Sequence, residues 1–314
     1  MMSGKFPASI GEAALLRRLQ RPEHRVDAVL DTDTYNEIDD QFALAYLLKC
    51  PEKANVQAIY AAPFSNEKAD APSLGVRRSY DEIRHILTLM HREDMFANVY
   101  MGSSAYLEDE TSPVVSPAAD DLVKRAMAHT PENPLYVIAI AAITNVASAL
   151  LLEPAIRDRV VIIWLGGNAL HWHDNQEFNL RQDIAAARVV LGSGAAVVLV
   201  PCMGVGSAFT TTEPELREHL AGRNPLCDYL YRYTVSEVSS YKNQVKCWSK
   251  PIWDVTAVGW LMSGDYMLDE LIHSPIPEYD GHWGLDGRRH WIRYVYHIHR
   301  DQLFMDLFQK LAEA

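Results

Sequence analysis

Apolar, largely β-branched runs recur along the chain at residues 26–30, 56–62, 135–141, 160–165 and 196–201. Between them lie amphipathic stretches of helical length, at residues 41–49, 77–91, 118–128, 145–152 and 183–191. Short apolar runs without strict alternation are the pattern of strands buried on both faces, and the segments between them carry the wider helical period. Strand and helix in regular alternation predict an α/β fold with a mostly parallel central sheet flanked by helices. After residue 212 the pattern becomes helical and rich in aromatics, with Tyr229, Tyr231, Tyr233, Tyr241, Trp248 and Trp253. A Pro, Gly, His and Trp-rich stretch at 274–289 reads as a long loop or flap; an alternating strand at 291–298 and a terminal helix at 300–311 follow. Residues 1–25 read as a helical extension ahead of the first strand. No Ser/Gly linker, low-complexity tract or repeat divides the chain, so a single domain spanning 1–314 is expected, with residues 213–290 covering its site.

Composition narrows the partners more than the fold. With 314 residues, 48% of them hydrophobic and 22% charged, the chain buries a large core. A formal net charge of -12 and a pI near 5.4 argue against nucleic-acid or anionic-membrane surfaces and favour a small neutral ligand or a cation. Cys50, Cys202, Cys227 and Cys247 are widely spaced and form no CxxC pair, which fits reduced thiols in a cytoplasmic protein better than a zinc site or a disulfide scaffold. The N-terminal stretch, with Arg17, Arg18, Arg21 and Arg25, has no apolar run long enough for a signal peptide or membrane anchor.

The chemistry concentrates where the first apolar run ends. Residues 31–40 hold five acidic groups, Asp31, Asp33, Glu37, Asp39 and Asp40, and no basic one. Converging carboxylates supply the oxygen shell that a hard divalent cation requires. The plain alternative is an acidic loop with Asp39 or Asp40 at a helix N-terminus. Position favours the ligand reading, since ligand-binding loops of α/β proteins gather at the C-terminal edge of the sheet. An EF-hand is disfavoured, because its sixth position would be Asn36 in place of Gly and its twelfth Phe42 in place of Glu. Three other polar groups fall at expected strand or helix ends: Thr144-Asn145, Glu177-Phe178-Asn179 and Trp253-Asp254. Taken singly these are a helix cap, a turn residue and a helix-start aspartate.

Taken together and in this order, they resemble the inosine-uridine-preferring nucleoside hydrolase family. The matching residues are Asp31-x-Asp33 with Asp39-Asp40, Thr144-Asn145, Gly166-Gly167-Asn168 with Glu177-Phe178-Asn179, and Trp253-Asp254. The resemblance implies a nucleoside hydrolase-like domain with a Rossmann-like core that hydrolyses the N-glycosidic bond of a ribonucleoside to ribose and free base. It implies one Ca2+ held by Asp33, Asp40, Asp254 and the backbone carbonyl of Thr144, with Asp33 as general base toward water. Asp39, Asn66, Asn168, Glu177 and Asn179 are then expected on ribose hydroxyls. Trp253 stands where many members have His, which is similar to the purine-preferring branch, where the base is stacked by an aromatic ring. A homo-oligomer, dimer or tetramer, is usual among proteins of this kind.

The chain departs from the family pattern in its acidic loop, which has five residues, 34–38, where three are usual. The added Tyr35-Asn36-Glu37 is expected to project toward the pocket mouth. Asn175 rivals Asn168 for its role, and His171, His173, His282 and His290 are further candidates for an acid near the base. Two other readings stay open at this point. Asp31-Thr32-Asp33-Thr34 fits the DxDxT pattern of haloacid-dehalogenase phosphatases, with Asp31 as nucleophile and magnesium as ion. A catalytically altered, calcium-dependent ribose- or nucleoside-binding relative would use the same ligands without turnover.

Overall fold

The computed structural model describes residues 11–241 and 247–313. The expected N-terminal extension therefore lies partly outside the described residues, as does residue 242–246 of the expected cover; the side chain of Tyr241 is also outside them. Helix α1 (Glu12–Arg18) precedes β1 (Val26–Thr32), α2 (Asp39–Leu48), β2 (Ala54–Ala61), α3 (Pro72–Leu89) and β3 (Val99–Met101). Then come α4 (Pro117–Ala128), β4 (Leu135–Ala139), α5 (Thr144–Leu152) and β5 (Val160–Leu165). A short α6 (Phe178–Gln182), α7 (Ile184–Gly192) and β6 (Ala196–Val200) complete the alternating part. Strands β7 (Thr210–Thr211) and β8 (Lys250–Pro251) pair across an excursion that contains α8 (Glu213–Leu220) and α9 (Pro225–Tyr241). The chain ends with α10 (Val255–Met262), β9 (Met267–His273), the small β10 (Ile276–Pro277) and β11 (Trp283–Gly284) pair, β12 (Trp291–Ile298) and α11 (Arg300–Ala312).

The central sheet has the strand order β3-β2-β1-β4-β5-β6-β12-β9, parallel throughout except for β9. The mostly parallel α/β domain expected from the apolar runs is therefore present. Its strands are buried on both faces, yet they still alternate: Leu30 of β1 packs in the apolar layer with Phe42 and Trp260, whereas Val29 packs in the opposite layer with Val137 and Trp164. All ten residues of α2 are buried, because this helix is covered by the sheet, α10 and α11. A helix that is apolar nearly all round belongs inside a domain.

Strands β3, β9, β10 and β11 escape the sequence pattern. Strand β3 has three residues, too few to show a period. The edge strand β9 contains Asp269, which in isolation argues against a strand; here its carboxylate accepts from Arg293 at 2.5 Å, Arg21 at 3.2 Å and the Trp260 indole at 2.7 Å. Within the expected flap, β10 and β11 form a two-strand pair.

The first half of the chain builds outward from β1 to β2 and β3, and the next strand, β4, then lands on the other side of β1. The crossovers thus diverge above β1 and β4. Such a reversal of strand order opens a crevice beyond the carboxyl ends of the strands.

Candidate active site

A pocket of about 250 Å³ lies at that crevice. The loop after β1 contributes Asp33, Asn36 and Glu37, and the first turn of α2 contributes Asp39 and Asp40. Ile140 enters from the end of β4, Asn168 and Glu177 to Asn179 from the segment after β5, Cys202 and Met203 from that after β6, and Trp253 and Asp254 from the start of α10. The extra length of the acidic loop is absorbed by a turn in which Asn36 N–H donates to the Asp33 carbonyl at 2.7 Å. As a result Asp33 and Asp40 face one pocket despite the insertion.

Four carboxylates, Asp33, Asp39, Asp40 and Asp254, are almost fully buried there. Oxygens of Asp39, Asp40 and Asp254 lie within 4.8 Å of one another. Asp40 and Asp254 are hydrogen-bonded to each other, and the Thr32 hydroxyl donates to Asp40. Burial, reinforced by the neighbouring aspartates, holds Asp33 and Asp254 well above the usual carboxylate range. Burial likewise pushes Asp40 up to about 8, with Asp39 adding to the shift, and Asp39 up to about 7, where Lys250 partly opposes it. One oxygen each of Asp33 and Asp39 has no hydrogen-bond partner among the described residues. Buried acids with open lone pairs are costly unless neutralised by protons or by a cation. An all-oxygen donor set of this kind fits a hard divalent ion and not a soft one.

The polar rim is built on the segment after β5. Gly167 has φ +71, and a Cβ at this position would come within 2.5 Å of the Trp283 ring and 2.8 Å of the Asn175 amide oxygen, so glycine is required. This turn brings Asn168 into the pocket wall, where its amide oxygen accepts from Met203 N–H and its amide nitrogen reaches Asp174. Asn175, the rival for that role, stands behind it and accepts from Asn168 N–H at 2.8 Å. Glu177 caps α6, accepting from the N–H groups of Asn179, Leu180 and Gly167. Asn179 donates to the Leu165 carbonyl at 3.1 Å. Trp283, in the flap, donates its indole N–H to the Asn168 carbonyl at 2.8 Å and so ties flap to rim.

Other expected site residues lie elsewhere. Thr144 is outside the pocket lining; its hydroxyl donates to Asp183 at 2.7 Å, and Ile140 is the residue from the β4 end that reaches the pocket. Asn66 is outside as well, donating to the Asn36 side chain at 2.8 Å and thereby bracing the acidic loop. None of His171, His173, His282 or His290 lines the pocket. Tyr35 turns away to lie under the Arg78 guanidinium, so only Asn36 and Glu37 of the insertion face the pocket. Asp31, the nucleophile of the phosphatase reading, is fully buried, is absent from the lining and accepts from Asn145 at 2.7 Å; that reading fails on access.

The sequence reading missed Ile140, Cys202, Met203, Gln176 and Phe178 as wall residues. For Gln176 and Phe178 a signal existed, since both flank Glu177; Ile140 contributes through its position at a strand end, which no side-chain motif reveals.

Comparison with known proteins agrees with this geometry. The chain superposes on a plant nucleoside hydrolase, PpNRh1, with a TM-score of 0.72 at 17% identity, covering 93% of this chain and 100% of that one. A purine-preferring ribonucleoside hydrolase from Gardnerella vaginalis gives a TM-score of 0.72 at 18% identity, with 91% and 98% covered. The type III effector protein XopQ, solved in complex with adenosine diphosphate ribose, gives 0.68 at 15% identity, with 97% and 99% covered. At such identities these likenesses speak for the fold. No curated protein matches the sequence significantly. The family model described as inosine-uridine preferring nucleoside hydrolase matches residues 28–303, nearly the whole chain, and the protein therefore belongs to that family of nucleoside-hydrolysing enzymes.

Proposed function

We propose that this enzyme hydrolyses the N-glycosidic bond of a ribonucleoside, releasing ribose and free base, with calcium bound and purine bases preferred. The observation that carries this reading is the group of four buried aspartates with open oxygens, facing a rim of amides and a carboxylate at the strand ends. Asp40 and Asp254 would be the central ligands, with Asp33 and Asp39 beside them. For the backbone ligand, the pocket lining favours the Ile140 carbonyl over that of Thr144. Bound calcium would neutralise the cluster, take the ribose diol and acidify a water.

The chain's own groups supply the rest. Asp33 accepts the proton of the attacking water on its unpartnered oxygen. Asp39, Asn168, Glu177 and Asn179 hold the sugar hydroxyls, and the negative pocket favours the oxocarbenium-like charge that builds on the ring. Asn66 acts at one remove, by bracing Asn36. Trp253 both packs against Gly206 and lines the pocket, where its ring would serve as a platform for a purine. Residues 213–290 would cover the site, through Lys250, Trp253 and Trp283, while the segment before β1 braces the far end of the sheet. A homodimer or homotetramer in the cytoplasm completes the proposal; no helix among the described residues is long and apolar enough to cross a membrane.

The test is ribose release from inosine, adenosine, guanosine, uridine and cytidine, with calcium and after exhaustive chelation. Calcium-dependent release, faster from purine than from pyrimidine nucleosides, is the expected result. Free ribose from none of the five would overturn the reaction, and equal rates with and without chelator would overturn the metal.

A further inference from the structure

Among the described residues the pocket is lined by six carboxylates, Asp33, Glu37, Asp39, Asp40, Glu177 and Asp254, and by no lysine, arginine or histidine. Of the six, Glu37 is the exposed one, which puts it at the mouth. It belongs to the insertion that distinguishes this acidic loop, and it is held in place from behind. Lys250, itself buried, directs its ammonium to Glu37 Oε2 at 2.7 Å and to Glu237 Oε2 at 3.5 Å. Lys68 in turn contacts Glu237 Oε1 at 2.7 Å and the Asn36 carbonyl at 2.6 Å. Both lysines are thus engaged with Glu237 of α9 and with the acidic loop, and among the described residues the end of this relay that meets the pocket is an anion.

Resting on the nucleoside-hydrolase reading, we propose that Glu37, pinned by Lys250, is a specificity residue by which this site rejects anionic ribosides, such as those phosphorylated on C5 of the ribose, in favour of uncharged ones. A phosphate is normally met by Arg, Lys or the free N–H groups of a helix start. Here the start of α2 carries Asp39 and Asp40, and the mouth carries a carboxylate. Glu37, the exposed acid of the six, stands outside the buried cluster; its charge adds to the upward shift of Asp33, Asp39 and Asp40, which acts on both substrates alike, so the ratio between them reports its effect on the incoming charge. Its removal deletes a repelling charge and takes one of its acidic partners from Lys250.

The experiment compares kcat/KM for inosine and inosine 5′-monophosphate in the full-length, calcium-loaded wild type, Glu37→Gln and Glu37→Ala. Thermal shifts with ribose and ribose 5-phosphate serve as a second readout that needs no turnover. Wild type should favour inosine, and both variants should narrow that preference by about tenfold or more, chiefly through the KM of the monophosphate, as expected for one partly screened charge. The narrowing should shrink as salt is raised. A preference unchanged within about twofold in both variants, or equal use of both substrates by wild type, overturns the role of Glu37 while leaving the reaction intact. Should wild type hydrolyse no nucleoside, the reaction fails, and the thermal shifts still decide: stabilisation by ribose and not by ribose 5-phosphate, with the difference lost in Glu37→Ala, supports charge rejection, and any other pattern overturns it.

Discussion

Two buried acidic nodes stand beyond the strand ends of this enzyme, and they are built on opposite principles. Asp183 caps α7: one oxygen accepts from Ala186 N–H at 2.9 Å, and the other from Leu107 N–H at 2.9 Å and the Thr144 hydroxyl at 2.7 Å. Both its oxygens are satisfied by the chain. In the cluster of Asp33, Asp39, Asp40 and Asp254 the acids are set against one another, and open oxygens remain on Asp33 and Asp39. A saturated carboxylate is scaffold, whereas an unsaturated group of like charges asks for something from outside. Burial alone does not separate the two, since Asp183 is 3% exposed and Asp33 1%.

The sharpest way to break this comparison is at Asp33. Asp33→Asn should lower kcat by about 10³-fold, the usual weight of a general base, while the metal-free protein resists denaturant at least as well as wild type because one repelling charge is gone. Turnover within tenfold of wild type would remove Asp33 from the mechanism. The reverse balance is expected at Asp183. Asp183→Ala strips a cap and leaves buried donors unpaired, which should cost about 3 kcal/mol of stability in denaturant titrations, yet lower kcat less than about tenfold in protein that remains folded.

A smaller effect sharpens the contrast through pH. Folding raises Asp39 to about 7 and Asp40 to about 8 from an ordinary 3.8, so in between the folded chain binds protons that the unfolded chain releases. In the metal-free protein these two groups therefore contribute stability that is fully present below about pH 4 and is lost progressively as pH rises to 7 and 8. Calcium competes for the deprotonated cluster and should erase most of that loss. Tm measured at pH 5 and pH 8.5 should fall between the two in chelator and change little with calcium. A calcium-independent Tm at pH 8.5 would place the ion elsewhere.

The fold was legible in large part because its signals are local. Apolar runs such as residues 160–165 match the observed β5 (Val160–Leu165) residue for residue, and the helix after the acidic loop begins two residues earlier than its apolar pattern suggests because Asp39 and Asp40 suit a first turn. Strand β9 was not legible, since Asp269 belongs in a strand only when Arg21, Arg293 and Trp260 surround it. In the site, Asp33, Asp39, Asp40, Asp254, Asn168, Glu177, Asn179 and Trp253 could be named from motif order, and all of them line one pocket. Thr144, expected there through its backbone carbonyl, and Asn66 carry equally good motif credentials but are not among the lining residues; their side chains hold Asp183 and Asn36.

By itself, then, the sequence determined which segments become buried strands and helices and which loop concentrates negative charge, because hydrophobic period and charge spacing act over a few residues. Tertiary structure decided the rest. Only the placement of β4 on the far side of β1 opens the crevice that brings Asp254 to Asp40, more than two hundred residues away along the chain. Only the three-dimensional supply of donors decides that Asp183 is closed while Asp33 and Asp39 stay open, since hydrogen bonds are filled by neighbours in space that no spacing rule can name.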